Sequence, residues 1–200
     1  MMRSLIYSDY TICANMYLMQ SIFDFIRSYD FRLYLFFHRA NLNYPDLGYL
    51  FYVFARYGII LSVLSTIYLI WQKRINALLC AFFASGIAIL VDILISLFWS
   101  RPRPFISHPD LISVRTIGFD VSSSSFASSH TYIAFAIATS IFLYGHKKLG
   151  TFLYLIAIAI AVSRIGVGLH YPTDVIGGAL LGIASGIFAF LIVHKNQKHW

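Results

Sequence analysis

Residues 76–99 read NALLCAFFASGIAILVDILISLFW, 24 residues with one charged side chain, Asp92. A helix rises about 1.5 Å per residue, so about 20 residues cross the roughly 30 Å of bilayer hydrocarbon. This stretch is long enough to span and too apolar for a helix with a wetted face. Four further apolar runs occupy residues 49–71, 130–144, 150–166 and 175–193. The run at 130–144 is short by itself and reaches spanning length if Ser128 and Ser129 open its helix. Composition agrees: of 200 residues 59% are hydrophobic and 12% charged, with mean hydropathy +0.73. That leaves too little polar surface to coat a soluble globule. The expected fold is all-α, a polytopic membrane helix bundle of about five transmembrane helices.

Residues 1–48 differ from this pattern. Ile22, Phe23, Ile26, Leu33, Phe36 and Phe37 recur at near-helical spacing among Asp24, Arg27, Asp30, Arg32 and Arg39. This is the pattern of an amphipathic interfacial helix, or equally of one packed against the bundle. The expected division is therefore an N-terminal amphipathic region, 1–48, and a membrane-embedded domain, 49–200. The first 19 residues mix Arg3, Asp9 and Asn15 with apolar residues, so no cleavable signal peptide is expected. Cys13 and Cys80 have neither metal-ligand nor CxxC spacing and read as buried thiols.

Lys and Arg number 15 against 8 acids, all Asp. The basic residues lie between apolar runs, which argues for membrane topology and against nucleic acid. Lys73 and Arg74, Lys147 and Lys148, and Lys195 and Lys198 follow alternate spans, so these ends share the cytoplasmic side. The connections 100–129 and 163–174 then meet outside, although they carry Arg101, Arg103, Arg115 and Arg164. Arginines that break the positive-inside bias need another purpose.

Three clusters converge on that outer rim. Arg101-Pro102-Arg103-Pro104 presents two guanidinium forks from a stiffened backbone, and such forks match phosphate oxygens. Phe126-Ala127-Ser128-Ser129-His130 opens a span, where unpaired helix amides and serine hydroxyls can cradle an anion. The third is Ser163-Arg164, then His170, then Asp174. With a helix starting near His170, Asp174 lies one turn on and is expected to accept a hydrogen bond from one imidazole nitrogen, leaving the other free to attack. His108, Asp110, Arg115 and Asp120 share the long outer loop and read mainly as loop polar groups. Arg56 and Asp92 lie inside spans at similar depth, an expensive placement that an ion pair would relieve. A second expectation has Arg56 projecting toward the phosphate site.

These motifs resemble those of the type 2 phosphatidic acid phosphatase superfamily of integral-membrane, metal-independent lipid phosphatases, K-x6-R-P, P-S-G-H and S-R-x5-H-x3-D. The third is matched completely by Ser163, Arg164, His170 and Asp174. The second is matched at Ser128 and His130, with Ala127 for Pro and Ser129 for Gly; the first at Arg103 and Pro104, with Ser96 at the Lys position. The resemblance covers about residues 45–193. Within the superfamily the chain is most similar to bacterial bacitracin-resistance type undecaprenyl-diphosphate phosphatases. That likeness rests on Pro102 to Phe105 with His108, on the run from Ser125 to His130, and on Ser163 to Val175.

The resemblance implies an integral-membrane hydrolase that releases inorganic phosphate from undecaprenyl diphosphate, by attack of His170 through a phosphohistidine. Asp174 would orient His170, and His130 would serve as general acid and then base. Arg103, Arg164, Ser128 and Ser129 would hold the phosphate, with Arg101 a candidate for a second phosphate and Arg56 and Ser96 as auxiliary candidates. No cofactor and no metal are implied, and the partners are the lipid substrate and the bilayer. The implied location is the bacterial cytoplasmic membrane, with the site on the extracytoplasmic side. Alternatives are another lipid phosphate as substrate, such as phosphatidylglycerophosphate, phosphatidic acid or a lipid A phosphate, and a non-catalytic protein that binds lipid phosphates.

Overall fold

A computed structural model describes residues 2–112 and 124–197, with side chains for 15–112 and 124–195. Arg115, Asp120, Lys198 and the side chain of Cys13 lie outside the described residues. Among the described residues every regular element is helical: α1 (Met2–Asn43), α2 (Pro45–Trp71), α3 (Ile75–Phe98), the single turn α4 (Pro104–Ser107), α5 (Ser129–Leu143), α6 (Lys147–Gly166) and α7 (Pro172–Gln197). Helices α2, α3, α6 and α7 are long and apolar enough to cross a membrane, and α5 is a shorter apolar helix. The chain is a multi-pass membrane protein of helical-bundle architecture. Its outward faces carry large apolar side chains, among them Trp71, Phe82, Leu97 and Phe98, as a lipid-facing surface requires.

The short α5 is central. Its residues 131–141 are buried apart from Ile133, and it packs between α3, α6 and α7. A helix enclosed by its neighbours touches little lipid and need not match the hydrocarbon thickness. Close contact with α7 is set by Gly178, Gly182 and Gly186, one turn apart: a Cβ on Gly186 would come 2.6 Å from Thr139 Cβ. Small residues at this spacing bring helix backbones together where lipid supplies no hydrophobic drive. The connections 72–74 and 144–146 share a cavity lined by Lys73, Arg74 and His146, so these two basic connections lie at one end of the bundle.

Helix α1 behaves as two halves. Over residues 16–29 its side chains are exposed, including Met16, Tyr17, Phe23 and Phe25. Over 30–41 it buries Asp30, Tyr34, His38 and Asn41, at helical spacing, across the ends of α7 and α6 opposite the lysine-rich end. The buried stripe is thus polar, whereas Ile22, Phe23, Ile26, Leu33 and Phe36 are exposed. The reason is the partner surface: this stripe meets helix termini and loop carbonyls, such as Gly166 and Leu111 at the His38 ring, which need hydrogen-bond donors and acceptors.

Candidate active site

The segment 167–171 links α6 to α7 and begins the site. Gly168 turns the chain at φ +85, a conformation that side-chain-bearing residues rarely adopt, and a Cβ there would also meet the His38 ring at 3.2 Å. The turn brings His170 back over the end of α6, where it is buried to 1% exposure.

The His170 ring is held by both nitrogens. Nδ1 lies 2.7 Å from the backbone carbonyl of Ser125. A carbonyl only accepts, so Nδ1 carries the hydrogen, and in the neutral ring Nε2 carries the lone pair. Two guanidinium groups face that lone pair: Arg103 Nη1 and Arg164 Nη2, each at 3.3 Å. Both arginines are 5% exposed. Each is anchored by a backbone carbonyl at 3.2 Å, Arg103 by Leu169 and Arg164 by Ala55 of α2. Burial foremost, then the Arg164 and Arg103 charges, hold the His170 imidazole well below its usual value near 6.5, against the opposing effect of the Ser125 carbonyl.

Asp174 stands one layer behind. Its Oδ2 is 3.9 Å from His170 Nδ1, beyond hydrogen-bond reach, so the expected direct carboxylate–imidazole bond is replaced by the Ser125 carbonyl. The carboxylate instead accepts the Ser125 hydroxyl at 2.5 Å, the Tyr171 amide at 2.9 Å and Arg101 Nη1 at 2.6 Å. The i, i+4 spacing does set the two side chains on one side, but the Ser125 strand of chain lies between the ring nitrogen and a better acceptor geometry. Ser125 thereby joins the site twice, through its carbonyl and its hydroxyl.

His130, in the first turn of α5 and half-buried, lies within electrostatic reach of Arg164, Arg103, Arg56 and His170. Ser128 stands at the N-cap position of α5 without a side-chain capping bond and is fully buried; its amide donates to the Asp174 backbone carbonyl at 3.3 Å and its hydroxyl accepts from the Thr131 hydroxyl at 3.0 Å. Ser129 opens α5, so its amide is among those lacking an acceptor within the helix. Ser96 is exposed and returns its hydroxyl to the Ile93 carbonyl of its own helix.

Asp92 does not take Arg56 as its partner. Its carboxylate accepts the Ala127 amide and the Tyr132 hydroxyl, each at 3.2 Å. This gives a reason for the missing proline of the second motif: a proline at 127 has no N–H to give Asp92. Arg101 is also engaged. Nη1 donates to Asp174 and Thr173, Nη2 to Asp30 at 2.7 Å, and the guanidinium lies 4.0 Å from the centre of the Tyr171 ring. The expectation that it reaches a second phosphate gives way to that of a clamp between helices. The His108 ring packs tilted against Phe31 of α1, and Asp110 is exposed. Cys80 is a buried free thiol. Among the described residues no three His, Cys or Asp side chains converge as a metal site.

Sequence reasoning missed Asp30 as well as the role of Ser125. Asp30 lies in α1, 71 residues from Arg101, and nothing in its neighbourhood distinguishes it from the other charges of that helix.

The chain is similar to known proteins. A profile of the PAP2 superfamily matches residues 77–198. The undecaprenyl-diphosphatase BcrC of Bacillus subtilis is 36% identical over 107 residues, 53% of either protein, and the chain spans about half the length of the BcrC relatives it matches. The lipid A 4'-phosphatase of Porphyromonas gingivalis is 28% identical over 181 residues, 83% of this chain and 74% of that one. The crystal structure of Aquifex aeolicus LpxE superimposes with a TM-score of 0.64 at 30% identity, over 80% of this chain and 93% of that one. With the profile spanning more than half of the sequence and running through both histidines, Arg103, Arg164 and Asp174, the chain belongs to the PAP2 superfamily.

Proposed function

We propose that the protein is a lipid phosphatase that removes the terminal phosphate of undecaprenyl diphosphate by a metal-independent route through His170. One observation carries this reading: Arg103 and Arg164, both buried, each face the same His170 nitrogen at 3.3 Å. Two buried cations beside one neutral lone pair repel each other, and a phosphate dianion between them relieves the repulsion while meeting a nucleophile.

In the first step His170 Nε2 attacks phosphorus in line. The N–P bond forms as the bond to the leaving oxygen breaks, and His130 gives that oxygen a proton. In the second step water attacks phosphorus, His130 takes a proton from the water, and the N–P bond breaks to free inorganic phosphate and His170. Arg103 and Arg164 hold the equatorial oxygens as charge shifts, with the Ser128 hydroxyl and the Ser129 amide beside them. Arg56 of α2, exposed yet within electrostatic reach of His130, adds positive charge near the site.

The undecaprenyl substrate is supported by the 36% identity to BcrC of Bacillus subtilis. The second reading, a lipid A phosphate, is supported by the longer match to the lipid A 4'-phosphatase of Porphyromonas gingivalis, 83% of this chain. Both place the substrate in the bilayer. The site lies at the end of the bundle opposite Lys73 and Lys147, and the positive-inside bias supports the reading that it faces the outer side of a bacterial cytoplasmic membrane.

The test is phosphate release by the purified protein in detergent from undecaprenyl diphosphate, a lipid A phosphate, phosphatidylglycerophosphate and phosphatidic acid, with and without EDTA. Fastest turnover of undecaprenyl diphosphate, unchanged by EDTA, is the expected result. Faster turnover of another lipid replaces the substrate assignment, loss with EDTA overturns the metal-independent route, and no release from any lipid favours a non-catalytic binding protein.

A further inference from the structure

Asp30 is 4% exposed and lies on the half of α1 that crosses the outer end of the bundle. Its Oδ1 accepts the Thr173 amide at 2.9 Å, and its Oδ2 accepts the Thr173 hydroxyl and Arg101 Nη2, each at 2.7 Å. Thr173 is the second residue of α7, one of the positions whose amide has no acceptor inside the helix. The cap of α7 is therefore supplied by a different helix, and as an anion it also suits the positive end of the helix dipole.

The same carboxylate continues into the site. Arg101, tied to Asp30 by Nη2, reaches Asp174 Oδ1 by Nη1 at 2.6 Å and lies over the Tyr171 ring. Asp174 accepts the Ser125 hydroxyl, and the Ser125 carbonyl takes the His170 Nδ1 hydrogen. Every link from Asp30 through Arg101, Asp174 and Ser125 to His170 is a hydrogen bond of 2.7 Å or less. The two carboxylates straddle a single guanidinium, so removing the Asp30 charge leaves Arg101 drawn to Asp174 alone and frees the start of α7.

We propose that Asp30 is a positioning residue for the reaction: α1, through Arg101 and Thr173, fixes Asp174 and Ser125 and thereby the orientation and tautomer of His170. The chain's N-terminal helix is then a working part of the site. This rests on the reading of His170 as the nucleophile, and the experiment separates the two.

The experiment uses the full chain in detergent, labelled with 15N-histidine, with His170 assigned by His170→Gln. Asp30→Asn, Asp30→Glu and Thr173→Val are compared with the unaltered protein for the His170 tautomer by NMR, for kcat and KM on undecaprenyl diphosphate, and for thermal stability. In the unaltered protein the ring is expected to carry its hydrogen on Nδ1. Asp30→Asn is expected to give a mixture of tautomers and lower kcat about 10- to 100-fold with KM nearly unchanged, the range for a group that orients a reacting side chain. Asp30→Glu is expected to recover part of kcat. Thr173→Val keeps both charges and is expected to show the same changes at smaller amplitude, so it decides the matter if Asp30→Asn does not fold. An unchanged tautomer and kcat in the folded variants, or a loss of stability alone, overturns the proposal. If the unaltered protein releases phosphate from no lipid, the functional reading fails, and the tautomer comparison still decides the role of Asp30.

Discussion

The Ser125 carbonyl oxygen lies 2.7 Å from His170 Nδ1, whereas the nearer Asp174 carboxylate oxygen lies 3.9 Å from it. The imidazole is thus oriented by a backbone group, and the carboxylate acts on that group from behind.

This geometry sets the size of the Asp174 effect. Asp174→Asn keeps the side-chain volume and can still accept hydrogen bonds from Ser125 and Tyr171, but loses the charge facing Arg101. Since the variant still accepts the Ser125 hydroxyl, the hold of Ser125 on the ring is loosened rather than lost, and kcat is expected to fall about 10- to 100-fold, well short of the roughly 10⁴-fold found where a carboxylate holds a catalytic histidine directly. Phosphate release by the purified variant distinguishes the two ranges.

The pH profile follows from the burial of His170. The attacking form is the neutral ring, and burial with the Arg164 and Arg103 charges favours neutrality. Activity is therefore expected to persist below pH 6.5 and to be lost only as the pH falls through the depressed value. Arg103→Gln removes one of the opposing charges, so the acid limb of its remaining kcat/KM is expected to move upward. The groups facing the ring are Arg103, Arg164 of α6, His130 of α5 and Asp174 of α7. A limb that does not move in Arg103→Gln speaks against His170 as the titrating group.

Arg164→Lys tests geometry with charge preserved. The guanidinium reaches the Ala55 carbonyl with Nη1 and His170 with Nη2, and a lysine ammonium has no such fork. A loss of about 10²- to 10³-fold in kcat is expected, the scale for removing one transition-state donor, with thermal unfolding little changed.

Much of this was legible in the sequence. The apolar runs located the spans, because a bilayer requires both length and apolarity, and the third motif set Arg164 and Asp174 beside His170, because a turn and a helix start give local distances, whereas its Ser163 bonds the Ile160 carbonyl of its own helix. Asp30 was not legible: its partners Arg101 and Thr173 are 71 and 143 residues away, and a lone Asp among Arg27 and Arg32 reads as surface charge. The partners of Arg101 were hidden for the same reason, since its fork donates to carboxylates from two other helices. The buried stripe of α1 is polar, so it leaves no apolar periodicity in the sequence.

Packing of α7 on α5 gives a stability prediction with an internal control. A side chain at Gly186 runs into Thr139, whereas Gly86 on α3 has nothing within 4 Å of an added Cβ. Gly186→Leu is expected to lower stability by about 1–3 kcal/mol through overpacking, read as earlier thermal unfolding in detergent. Gly86→Leu is expected to unfold near the temperature of the unaltered protein.

The phosphoenzyme is the most direct measurement. Purified protein is mixed with undecaprenyl diphosphate carrying 32P in its terminal phosphate, quenched within a turnover in alkaline detergent, and the labelled residue located by mass spectrometry. The expected result is an acid-labile, alkali-stable label on His170 that forms before free phosphate, decays into it, and is absent from His170→Ala. Release of phosphate at the full rate by His170→Ala, or a label that forms on another residue, would contradict attack by His170.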